Sequence, residues 1–158
     1  MTGKTLFSIV NTLAFLAFPM LASAQAPSYG GTVTLEQAKK IAAGGIAEAR
    51  KNNWPVAIAI VDNHGFMVYF EKMDDTQTAS VQIALDKAKT ASMFRRPSRA
   101  FEEGMAKGRI ALLGLTGATP ITGGVPITAG GKVVGGVGVS GVTSDQDEQV
   151  AKAGLAGM

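Results

Sequence analysis

The sequence predicts an α+β domain in three layers, a central antiparallel sheet with helices on both faces. Two observations carry this expectation. The chain reads helix, hairpin, two helices, hairpin, helix, and hairpins impose antiparallel pairing. The run VAIAIVD (56–62) is apolar without alternation up to Asp62 and includes four β-branched residues, so that strand needs cover on both sides.

Residues 1–24 read as a secretory leader: Lys4 is the only charge, an apolar run extends from Leu6 to Leu21, and Ala22-Ser23-Ala24 supplies a small-x-small cleavage site. The run is shorter than the ~20 residues of a spanning helix and contains Asn11 and Pro19. Cleavage after Ala24 predicts a periplasmic or secreted protein with no stable membrane insertion. Residues 25–33 form a flexible lead-in, and 34–158 form one domain. The 158 residues carry 15 basic and 12 acidic side chains, and loss of Lys4 leaves a net charge near +2. The basic groups are spread out, so nucleic acid is not an expected partner. There is no cysteine, which excludes disulfides, thiolate nucleophiles, zinc–cysteine sites and covalently attached c-type haem.

Thr34-Leu35-Glu36-Gln37 is a capping box, and Leu35, Ala38, Ala42, Ile46 and Ala49 then share one helical face up to about Asn52. Trp54-Pro55 ends that helix before the first strand. Asp62-Asn63-His64-Gly65 is a tight turn, and FMVYFEKM (66–73) returns as the partner strand. A second helix carries Val81, Ala84, Leu85, Ala88 and Ala91 as its apolar stripe and stops at Arg95-Arg96-Pro97. Ser98 is the expected N-cap of a short third helix. Residues 109–124 fit no period. VPIT (125–128), the turn Ala129-Gly130-Gly131-Lys132 and VVGGVGVSG (133–141) form a second hairpin, with Pro126 placing its strand at an edge or an irregularity. Ser144 is expected to cap a last helix with an acidic first turn, Asp145 to Glu148.

Val61-Asp62 before the glycine turn, ALDKAKTA (84–91) with Phe94 and Pro97-Ser98 after it, GGVPI (123–127), and GGVGVSG (135–141) followed by Asp147 and Ala151 together resemble the GlcG/HbpS family. That family is also known as haem-binding or haem-degrading HbpS-like and includes the PduO C-terminal type. The resemblance implies a profilin-like, five-stranded antiparallel sheet between helices and assembly into homo-oligomers. It also implies haem as ligand, with a role in haem degradation or iron handling.

The glycines in the last strand raise a question, since glycine weakens a strand. Gly135 and Gly136 either admit a flat ligand to the sheet or relieve crowding beneath a packed helix. His64 is the only histidine and so the only imidazole for haem iron, although a solvated turn residue is the plainer reading. Oxygen ligation by Tyr69, Tyr29 or Thr119, or sulfur ligation by Met67 or Met73, remains open. Arg95 and Arg96 are candidates to clamp haem propionates or a small organic acid, with dipole stabilisation as the alternative. Lys87, which matches the family's helix pattern, joins them. Glu71, Asp74 and Asp75 could bind a hard cation, or simply end a strand in solvent. The rival function is a small-molecule enzyme or accessory factor for an organic acid such as glycolate, with Arg95 or Arg96 on the carboxylate and His64 or Asp62 exchanging a proton.

Overall fold

The computed structural model describes residues 25–158; the leader expected over residues 1–24 lies outside them. Helix α1 spans Leu35–Lys51, followed by strands β1 (Ala57–Asp62) and β2 (Met67–Lys72). Helices α2 (Ser80–Phe94) and α3 (Arg99–Ala106) lead into a 3-10 turn over Ile110–Gly114. Strands β3 (Gly124–Ala129) and β4 (Lys132–Ser140) and helix α4 (Ser144–Ala156) complete the chain. Thr34 and Gln37 form the expected capping box of α1. On α4 the box falls one residue earlier than expected, with Thr143 rather than Ser144 as N-cap and Gln146 reciprocating. Ser98 has helical backbone angles and caps nothing; its hydroxyl accepts the Gly124 N–H at 2.9 Å and ties α3 to β3.

The sheet has four antiparallel strands in the order β2-β1-β4-β3, not five. The reason lies in β4. Its pairing with β1 ends at Asp62↔Gly135, so only the first residues of β4 stay open on that side. The lead-in fills this gap with a single parallel bridge, Tyr29↔Val133, flanked by Gly30 N–H to Val133 O and Val33 N–H to Val134 O. The chain bends at Gly31, between these two bonds, and no strand forms there. Pro126 lies on β3, an edge strand, as its missing donor requires.

Strand alternation splits the core into two layers. Ile58 and Ile60 pack with Val137 and Val139 against Ile41, Ala42 and Ile46 of α1 and Val150 of α4. Ala57, Ala59 and Val61 point the other way, onto Ala84 and Ala88 of α2. Each large aliphatic side chain so buried contributes on the order of 1.5–3 kcal/mol. The α2 layer is thin because its contact residues are small. A Cβ on Gly138 would stand 2.1 Å from the Ala84 carbonyl oxygen, and one on Gly136 would stand 2.4 Å from that of Ala88. The glycines therefore let helix backbone rest on strand backbone. Among the described residues, no helix is long and apolar enough to cross a membrane.

Candidate functional site

The slot envisaged beside Gly135 and Gly136 is filled. Gly136 lies under α2, and a Cβ on Gly135 would meet the Val61 carbonyl oxygen at 2.4 Å. Packing is thus the role of both glycines, and no flat ligand can reach them within this chain. Lys87 is no surface clamp either. It is 1% exposed, and its Nζ donates to Asp147 Oδ2 at 2.8 Å and to the Val139 carbonyl at 3.0 Å. Burial pushes the Asp147 carboxyl up from its usual range, while Lys87 and the Val142 N–H oppose that shift.

Arg95 and Arg96 point apart. Arg96 extends over the Phe101 ring at 5.7 Å, on the α3 side. Arg95 adopts left-handed backbone angles (φ 55°) that end α2 and turn its side chain toward the lead-in. Its guanidinium sits 5.1 Å over the Tyr29 ring and donates to the Pro27 carbonyl at 3.1 Å. Tyr29 in turn donates to the Met93 carbonyl at 2.7 Å.

The β1–β2 turn closes on the same end of α2. The Ser92 hydroxyl donates to the Asp62 carbonyl at 2.7 Å. Asp62 Oδ1 accepts the N–H groups of His64 (2.8 Å) and Phe66 (2.9 Å), which fixes the turn. Gly65 takes φ +88°, and Met93 Sδ lies 3.0 Å from where its Cβ would be, so only glycine fits. Met67 pairs with Val61 and so stands on the α2 side of the sheet. The result is a surface corner where His64, Phe66, Met67, Met93 and Tyr29 are all exposed, bordered by Lys89 and Arg95. Neither cation has a carboxylate partner among the described residues. Beside His64, Asn63 Oδ1 is buried with no hydrogen-bond partner.

Of the expected residues, this corner gathers His64, Arg95, Tyr29 and Met67. It leaves out Thr119, whose N–H donates to Thr90 Oγ1 at 2.8 Å on the β3-facing side of α2. Tyr69 is also elsewhere: burial and its 3.1 Å bond to Glu71 push its phenol pKa up, which opposes ligation as a phenolate. Met73 lines a cavity of about 270 Å³ with Arg50, Glu71, Lys72 and Asp74, at the far end of β2. That volume falls below the ~300 Å³ at which drug-sized ligand pockets begin. Among the described residues, no group of three or more His, Cys, Asp or Glu side chains could hold a metal ion. The sequence reading missed Met93 and Phe66. Met93 continues the spacing of Leu85 and Lys89 along α2, but nothing in that spacing reveals exposure.

A family model described as haem degrading protein HbpS-like matches residues 33–156. The chain belongs to the HbpS-like family. Protein GlcG of Escherichia coli K12 is 42% identical over 105 residues, covering 66% of this chain and 78% of GlcG. The crystal structure of a double mutant of HbpS from Streptomyces reticuli is 33% identical, with a TM-score of 0.75 over 89% of this chain and 96% of that one. The crystal structure of a PduOC:haem complex has a TM-score of 0.74 over 80% of this chain and 95% of that one. At 22% identity it shows a shared fold alone.

Proposed function

We propose that the protein is an exported haem-binding protein that assists haem degradation or iron handling and holds haem at the corner between the β1–β2 turn and the end of α2. The family's description as haem degrading supports the ligand. The observation that carries the location is the exposed aromatic and thioether surface around the only histidine, edged by Lys89 and Arg95.

The donor set fits the group. The exposed Tyr29, Phe66, Met67 and Met93 side chains would supply apolar contact, and the His64 imidazole would be the residue to hold haem iron. Arg95 and Lys89 would neutralise propionates, with Arg95 held in place by Tyr29 and Pro27. A bound haem would supply redox-active iron, and the chain's own residues supply orientation and charge compensation. The organic-acid alternative loses Asp62 as a proton carrier, because that carboxylate accepts two backbone N–H groups, and is left with His64 alone.

Titration with haemin, followed by absorption, should give a saturable red-shifted band. His64→Ala should move that band, and Arg95→Glu should weaken binding about tenfold or more while Arg96→Glu leaves it nearly unchanged. Binding that never saturates, or that is indifferent to both His64→Ala and Arg95→Glu, would overturn the proposal.

A further inference from the structure

The cavity that Met73 lines lies at the opposite end of β2 from the haem corner, and two turns build its walls. The chain leaves α1 through Asn53, whose left-handed angles (φ 57°) let the Trp54 N–H reach the Ala49 carbonyl at 2.9 Å. Past β2, the Met73 N–H donates to the Val56 carbonyl at 3.0 Å and the Thr76 hydroxyl to the Met73 carbonyl at 2.8 Å, with Asp75 left-handed at φ 61°. These bonds set the last turn of α1 against the end of the strand. Glu71 pairs with Ile58 and Tyr69 with Ile60, so both stand on the α1 side of the sheet. There the Tyr69 hydroxyl donates to Glu71 Oε2 at 3.1 Å and fixes that carboxylate.

Arg50, Glu71, Lys72, Met73 and Asp74 line this space of about 270 Å³. Two charges of each sign border it, and none of the four forms an ion pair among the described residues. Each sign rejects one class of ligand. A simple carboxylate or phosphate meets Glu71 and Asp74, a bare cation meets Arg50 and Lys72, and anything of drug size or larger exceeds the volume. A small molecule that carries both charges meets neither objection. We propose that this cavity binds a small zwitterion of the α-amino-acid class, its carboxylate on the Arg50 guanidinium, its ammonium on Glu71 and Asp74, and a short apolar side chain against Met73.

The inference does not rest on haem, and its test uses protein without haem. L-Alanine titrated into the labelled protein should shift the backbone amide resonances of Arg50 and of Glu71 to Asp74, and saturate with a Kd of about 1 mM or below. Propionate and ethylamine, each of which lacks one of the two charges, should bind about tenfold more weakly or worse. Arg50→Gln and Glu71→Gln should each weaken L-alanine about tenfold, with the far-ultraviolet spectrum and haemin binding unchanged. A titration that does not saturate, shifts confined to other parts of the molecule, propionate or ethylamine as strong as L-alanine, or indifference to both substitutions would each overturn the proposal. In each case the haemin titration still decides the haem question by itself.

Discussion

Lys87 shows how far a single side chain can depart from its expected place. Lysine is almost never fully buried unless paired, and here the pairing is with Asp147 across the end of β4. Removing one partner strands the other charge in the interior. Lys87→Met should therefore cost about 3–5 kcal/mol in urea unfolding. The double variant Lys87→Met, Asp147→Leu should recover more than half of that loss, since an apolar pair carries no desolvation penalty. A single variant as stable as wild type would show that water reaches the pair. The sequence placed Lys87 on a helix, but its helical spacing could not distinguish an outward lysine from an inward one. The clue was on another element: Gly123, where a Cβ would stand 2.8 Å from Lys87 Nζ, leaves the passage through which the ammonium runs. His64 and Arg95 were legible as residue types with suitable chemistry. Their meeting was not, because it depends on the left-handed turn at Arg95 and on the lead-in folding back.

Among the elements, the contact of α2 with β4 sets the spacing of one whole layer. Gly138→Ala would drive a methyl group to 2.1 Å from the Ala84 carbonyl and 2.4 Å from the Ala88 nitrogen, both of them backbone atoms that cannot rotate away. The expected loss is about 3 kcal/mol or more in chemical denaturation. Gly114→Ala, where no atom lies within 4 Å, should stay within about 0.5 kcal/mol of wild type. Equal effects at the two positions would contradict the packing account. The hairpins and the first capping box could be read from sequence because each rests on local chemistry: turn glycines, a proline stop, a Thr/Gln pair. The 3-10 turn could not, because its one inward residue, Leu112, sets no period. The fifth strand implied by the family resemblance is reduced to one bridge because β4 has so little edge left beyond β1.

The molecule as a whole is a stack of layers strapped near the start of β3. Lys87 links α2 to α4, and Arg99 links α3 to α4 through Asp145 and Glu148. Burial alone would raise the Glu148 carboxyl, but hydrogen bonds from Arg99 and Lys152 outweigh it and hold the group below its ordinary value of 4.5. A carboxyl depressed on folding stabilises the fold fully above its unfolded value, and that contribution is lost as pH falls through the folded one. Thermal unfolding should therefore show a fall in stability below about pH 4.5, and Glu148→Gln should flatten that acid limb. An acid limb unchanged in Glu148→Gln would assign it to other carboxylates.

The hold of Pro27 and Tyr29 on Arg95 has a practical side for anyone handling this polypeptide. A purification handle fused directly before Gln25 would hang within a few residues of Pro27 and Tyr29 and compete for the guanidinium, and a protease that nicks past Tyr29 sets it swinging. A handle appended after Met158 leaves that grip intact.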